Sequence, residues 1–217
     1  MEKNNTLNKK QLDGIDGYEK LKDFVKLGHL YRGAIKEVST KLEILDDEFQ
    51  YMFEHNPIHH MESRMKSFQS VRDKLIRKGF EFSTENMCEH VMDIAGIRVV
   101  CNYINDLYSL ADMIQQQDDI TLINRKDYIA HPKENGYRSL HLIVTVPVFT
   151  SKKPLNIPVE IQLRTIAMDM WASLEHELKY KSEKLLPTQI ADELRECATD
   201  LASIDKRMQE IYLMESN

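Results

Sequence analysis

Apolar residues recur at Leu27, Tyr31, Ala34, Val38, Leu42, Leu45, Phe49 and Met52, in steps of three and four. That spacing lines one face of a helix, so it predicts a single long amphipathic helix in the N-terminal part of the chain. The helix stops at Asn56-Pro57, since proline removes a donor and disfavours helix in the residue before it. Residues 1–17 are polar and aperiodic and are expected to form a flexible tail. Met61 to Ser67 reads as a short strand. Near Ser67 a helix begins with Phe68, Val71, Leu75 and Ile76 inward, and Gly79 ends it. A further short helix is expected from about Thr84 to Met92.

The central pattern then alternates. Ile97 to Cys101 is expected as strand, Asn105 to Gln117 as helix, and Ile120 to Ile129 as strand. Leu140 to Phe149 and Ile157 to Arg164 read as strands joined by a turn, and a helix follows from about Thr165 to Lys181. Pro187 introduces a last helix to about Met214, with Ile190, Leu194, Leu201, Ile204, Met208 and Ile211 in one stripe. There is no internal repeat or low-complexity stretch. The expectation is one α+β (mixed α/β) domain over residues 18–217, a mixed sheet in the middle with long helices at both ends.

Composition narrows the class. The chain has 217 residues, ample for a real core, and its 42% hydrophobic and 29% charged content excludes wholesale disorder. No apolar run is long enough for a membrane span and no secretory signal is evident, so a protein without membrane association is expected. Cys88, Cys101 and Cys197 are odd in number and widely spaced, which argues against a disulfide framework and for a reducing cytoplasm. The formal charge is -6, yet Arg64, Lys66, Arg72, Lys74, Arg77 and Lys78 face only Asp73 within residues 63–79. Such a density of cations suits an anion such as a triphosphate; a solvated helix face is the plain alternative for Arg72 and Lys78.

Several polar positions invite chemistry. Alternation on the strand Ile157 to Arg164 puts Glu160, Gln162 and Arg164 on one face, opposite Ile157, Val159, Ile161 and Leu163. This is either a charged binding floor or an ordinary solvated sheet face. On the preceding strand, His141 shares a face with Ser139, Ile143 and Thr145, as a phosphate donor, an acid/base group or a structural histidine. Asp93 precedes a strand bearing Arg98, and Asp93 with Glu160 has the carboxylate count that Mg²⁺ prefers; as a plain turn acid, Asp93 needs no metal. Tyr137, after the Asn135-Gly136 turn and close to Lys133 and Arg138, is either a base-stacking platform or a half-buried cover for the sheet edge. Asp169 is placed either to accept two parallel donors or to sit favourably at a helix N-terminus. Trp171 reads as core. His55, His59, His60 and His90 lack the spacing of a structural transition-metal site, and no P-loop, Rossmann or serine-elbow motif occurs.

Four segments in order carry a resemblance: Asp93-Ile94-Ala95-Gly96-Ile97-Arg98, Lys126-Asp127-Tyr128-Ile129, Asn135 to His141 and Val159 to Thr165, continued by Met168 to His176. Together they resemble the synthetase domain of the RelA/SpoT family, which makes the alarmone (p)ppGpp, over about Asn56 to Lys181. The flanking helices look like those of the small, synthetase-only members of the RelP type, without hydrolase activity. The resemblance implies a nucleotidyltransferase-like mixed sheet flanked by helices. It also implies Mg²⁺-dependent transfer of the β,γ-pyrophosphate of ATP to the 3′-hydroxyl of GDP or GTP. By residue, it implies Arg64 and Arg98 at adenine and Lys66, Lys74 and Arg77 at the ATP phosphates. Asp93 and Glu160 would hold Mg²⁺, with Glu160 as base. Tyr137 would stack on guanine, Asp169 would read its edge, and Lys126, Lys133, His141, Gln162 and Arg164 would contact the acceptor nucleotide. Asn124-Arg125-Lys126-Asp127 departs from the Arg-x-Lys-Asp common in long members, which leaves the choice between GDP and GTP open. A homotetramer joined through the terminal helices is also implied, with nucleic acid not required. The rival from another class is a non-catalytic nucleotide- or RNA-binding module using the basic cluster.

Overall fold

The computed structural model describes residues 18–181 and 187–215, so the tail expected at 1–17 lies outside the described residues. The first amphipathic helix is α1, Tyr18–Met52. It starts earlier than its regular stripe, because polar residues mask the period there while Phe24 is buried and meets Phe68 edge-on at 5.6 Å. Strand β1, Ile58–Met65, also begins before the expected Met61. Its partner β2, Ala95–Cys101, pairs as far as Ile58, and a bulge between Ile58 and His60 breaks the alternation that would reveal the start.

Helix α2, Phe68–Arg77, is capped by the Ser67 side chain accepting from the Ser70 amide. The chain leaves it through Gly79, whose φ of +81° side-chain-bearing residues rarely adopt. Then come α3 (Thr84–His90), β2, α4 (Ile104–Gln115) and β3 (Thr121–Asp127). The chain continues with β4 (Leu140–Phe149), β5 (Pro154–Thr165), α5 (Ile166–Lys181) and α6 (Thr188–Glu215). The strands form one mixed sheet in the order β1-β2-β5-β4-β3. Only the central β2–β5 pair is parallel; the other three are antiparallel.

The two sheet faces differ. Ile97 and Val99 of β2, Leu142 and Val144 of β4, and Val159, Ile161 and Leu163 of β5 share one core with Ala34, Val38 and Leu42 of α1 and Leu107, Leu110 and Ile114 of α4. Each fully buried aliphatic side chain of this kind contributes about 1.5–3 kcal/mol relative to exposure. With that face packed, the period of two sends the intervening side chains to the opposite face. There α5 lies near the sheet and α6 packs on α5. Trp171, Ala172 and Ala198 form a small second core, with Tyr137, Leu194 and Leu201 against it, and the Trp171 indole donates to the Leu194 carbonyl at 2.7 Å. Trp171 is therefore core, as expected. The outer stripe of α6, including Ile204, Met208 and Ile211, stays exposed. No helix among the described residues is long and apolar enough to cross a membrane.

Candidate active site

Strand register assembles a polar row that runs through all five strands. Glu62 of β1 stands opposite Arg98 of β2, Arg98 opposite Gln162 of β5, Gln162 opposite His141 of β4, and His141 opposite Lys126 of β3. One step along, Arg64 pairs with Gly96 and Gly96 with Glu160. This row floors a cleft of about 610 Å³, lined among others by Arg64, Asp93, Arg98, Lys133, Tyr137, His141, Glu160, Gln162 and Arg164. His141 from that face of β4 and Glu160, Gln162 and Arg164 from the polar face of β5 thus converge on one site.

At one end Asp93, just before β2, accepts from the ammonium groups of Lys66 and Lys74 at 2.5 and 2.7 Å, both on Oδ2. Burial alone would raise this carboxyl, but the hydrogen bonds and charges of the two lysines outweigh it and hold it below the usual carboxylate range. Its Oδ1 is buried and accepts no hydrogen bond from the described groups. Lys74 reaches Asp93 because α2 places it three residues from Val71, on the side that packs inward.

The other end is a ring of hydrogen bonds in which the charged groups fix the direction. Guanidinium groups only donate and carboxylates only accept. Arg164 Nη2 donates to the Tyr137 hydroxyl at 2.8 Å, and the hydroxyl shares a further hydrogen bond with His141 Nε2, also at 2.8 Å. His141 Nδ1 then faces Glu160 Oε1 at 3.2 Å as a donor. A second arm runs from Arg164 Nη2 to Gln162 Oε1 at 3.0 Å and from Gln162 Nε2 to Glu160 Oε2 at 2.8 Å. Both oxygens of Glu160 are therefore tied to the buried Arg164 by separate routes. Burial pushes the Glu160 carboxyl up, the nearby Asp93 charge adds to that, and the donors His141 and Gln162 prevail and hold it low.

Helix α5 adds Asp169, whose Oδ1 accepts from Arg98 at 2.7 Å and Arg164 at 3.0 Å. The two guanidiniums overcome its burial and hold it low. Arg98 in turn bonds Glu62 at 2.8 Å. The ammonium of Lys133 lies 4.7 Å from the Tyr137 ring centroid and 4.6 Å from that of Tyr128. Lys66, Lys74 and Asp169 do not line the cleft themselves but bond to Asp93, Arg98 and Arg164, which do. Two further candidates stay apart. Arg77 is exposed and its Nε donates to the Asp73 carbonyl within its own helix, while Lys126 ends the row on exposed β3, outside the cleft lining. Conversely, Glu62, Ser173, Glu175 and His176 line the cleft without having been singled out. The signals were present: Glu62 is two residues from Arg64 on one strand, and Asp169, Ala172, Ser173 and His176 follow helical spacing.

Among the described residues no group of three or more His, Cys, Asp or Glu converges as a metal cage. The donor set instead fits Mg²⁺, which takes few protein carboxylates and completes its shell with phosphate oxygens and water. The buried, unpartnered Oδ1 of Asp93 and the mutual repulsion of Asp93 and Glu160 are what a hard cation between them would relieve.

Residues 63–185 match the model of a region found in RelA/SpoT proteins. GTP pyrophosphokinase YwaC of Bacillus subtilis is 45% identical over 82% of this chain and 85% of its own length. The crystal structure of small alarmone synthetase 2 of B. subtilis superposes with a TM-score of 0.77 at 43% identity, covering 85% of this chain and 96% of that one. Small alarmone synthetase 1 of B. subtilis, bound to its product pppGpp, gives 0.85 at 32% identity, covering 90% and 100%.

Proposed function

We infer, from the premise that the chain belongs to the RelA/SpoT family, that it is a GTP/GDP pyrophosphokinase that makes the alarmones ppGpp and pppGpp. It transfers the β,γ-pyrophosphate of ATP to the 3′-hydroxyl of GDP or GTP. The observation that carries this reading is the meeting of two unlike ends in one cleft: Lys66 and Lys74 on Asp93, and Tyr137 and His141 on Glu160.

The chemistry follows from that arrangement. A new bond forms between the acceptor 3′-oxygen and the β-phosphorus of ATP, and the α,β-bridging P–O bond breaks to release AMP. Transfers of this type depend on positioning and on electrostatic stabilisation. Lys66 and Lys74 are close enough to Asp93 to exchange its carboxylate for triphosphate oxygens. Arg64 and Arg98 offer planar guanidiniums to adenine at the same end. Glu160, ionised at neutral pH and held at both oxygens, takes the proton of the 3′-hydroxyl. Tyr137 offers a ring face to guanine, with Lys133 beside it, and Asp169 is an acceptor for the paired donors of the guanine edge. Gln162, His141 and Arg164 orient Glu160 and border the acceptor. Mg²⁺, held by Asp93 and Glu160 when bound, supplies neutralisation of the phosphate charge. The free Cys88, Cys101 and Cys197 suit a cytoplasmic setting. The exposed apolar residues of α1 and α6 offer the surfaces for a homotetramer.

The test incubates the protein with Mg²⁺, γ-labelled ATP and either GDP or GTP. Label should appear in a guanosine nucleotide bearing a 3′-pyrophosphate, with AMP in equal amount. Absence of that product with both acceptors would overturn the reading.

A further inference from the structure

The loop carrying Lys133 and Tyr137 rests on the C-terminal helix. Gly136 has φ +90°, and a Cβ built on it would stand 2.6 Å from the Ala198 methyl and within 3.5–3.7 Å of the Arg195 backbone. The loop therefore touches the body of α6 with no room for a side chain at 136. It is tight in itself: the Gly136 amide donates to the Lys133 carbonyl at 2.8 Å and the Lys133 amide to the Tyr137 carbonyl at 3.1 Å. Asn135 ties it sideways. Its Nδ2 donates to Glu175 of α5 at 2.9 Å, and its Oδ1 accepts from the Tyr137 amide at 3.2 Å. A shift at Gly136 must therefore carry Lys133 and Tyr137 with it.

Helix α6 is itself held in register along its length. Trp171 donates to the Leu194 carbonyl, Thr165 donates to Asp205 at 2.6 Å, the Asn105 amide donates to Gln209 at 2.8 Å, and Tyr212 stacks on Tyr103 at 4.4 Å. These partners belong to α5, the end of β5 and the start of α4, so the position of Ala198 is fixed relative to the sheet. The seam where Ala198 meets Gly136, Arg138 and Trp171 borders a small half-open cavity of about 10 Å³, room for one water at most. A larger side chain at 198 must press on the loop at Gly136, which already lies against the Ala198 methyl.

We propose that Ala198 is a positioning residue for the acceptor nucleotide: the small size of its side chain sets where Gly136 lies, and through it where Tyr137 and Lys133 stand in the cleft. This rests on the reading of those two residues as acceptor contacts. Helix α6 thereby governs one substrate and not the other, since Asp93, Lys66 and Lys74 are attached to β1, α2 and β2.

Steady-state kinetics of Ala198→Leu and Ala198→Gly test it, with direct titration of GDP in the absence of ATP. Ala198→Leu should raise the acceptor KM and the GDP Kd on the order of tenfold, with the ATP KM within about twofold, since small misplacements of binding groups cost this much. Ala198→Gly should leave all of these near the wild type. An unchanged acceptor KM and Kd in Ala198→Leu, or an equal rise in both KM values, overturns the proposal. If circular dichroism shows Ala198→Leu unfolded, Ala198→Ser carries the test, with an expected rise of about threefold in acceptor KM alone; no rise there overturns it equally. A wild-type protein that makes no 3′-pyrophosphate product would instead sink the functional reading, so the two failures are distinguishable.

Discussion

At the donor end of the cleft, Asp93 is reached by Lys66 and Lys74 across 27 and 19 residues of chain. At the acceptor end, the Tyr137 hydroxyl meets Arg164 across 27 residues and Asn135 meets Glu175 across 40. The first end is built from neighbouring elements and held by charge. The second is built from a loop that rests on helices arriving later in the chain, and it is held by packing as much as by hydrogen bonds. The difference teaches that the ends should fail differently: the donor end to loss of charge, the acceptor end to changes of size and shape.

The sharpest way to probe that division is where the ends meet. Glu160→Gln keeps the shape and loses the base, and turnover is expected to fall by on the order of a thousandfold or more with an unchanged circular dichroism spectrum. Near-normal turnover would break the assignment. Asp93→Asn and Tyr137→Ala should then part company. The former leaves Lys66 and Lys74 without their counter-charge, so besides activity it should lose about 1–3 kcal/mol of stability in urea unfolding. The latter should raise the acceptor KM about tenfold while sparing the ATP KM; equal effects on both would erase the distinction.

A pH profile separates the ends more finely. The Glu160 base form is present above its folded pKa and is lost as pH falls through it. His141 is the strongest of the influences holding that pKa down against burial. His141→Ala should therefore move the acidic limb of kcat/KM to higher pH, whereas Lys74→Met should leave that limb in place while raising the ATP KM. An unmoved limb in His141→Ala would sever Glu160 from the acceptor ring. The smallest effect is expected at Arg77, which bonds the Asp73 carbonyl of its own helix and, unlike Lys74, not a residue of the cleft: Arg77→Ala should raise the ATP KM about twofold or less, well below Arg64→Ala. A larger effect would show that α2 turns toward ATP.

Much of the fold was legible. The period of three and four marked α1 and α6, and alternation assigned the buried face of β5 residue by residue and separated the face of β4 that carries His141, because a packed face imposes its period on the chain. The starts of α1 and β1 were not legible, since polar residues around Phe24 and the bulge at His59 hide the period that contact restores. Of the site, Asp93, Glu160, Tyr137 and His141 stood out as chemically able groups, but a spacing along one strand cannot say which strands adjoin. Arg77 shows the converse: it belongs to the basic cluster by position, yet helical geometry carries it out of the cleft.

The sequence by itself determined the element types, the polar faces and the set of motifs that identify the family, all of which depend on short-range periodicity and residue chemistry. Only the tertiary structure decided that Glu62, Arg98, Gln162, His141 and Lys126 form one row across the sheet. It alone brought Ala198 beneath Gly136. The physical reason is that strand order, register and helix docking are set by long-range packing, for which the local pattern states only that a face must be covered and not by what.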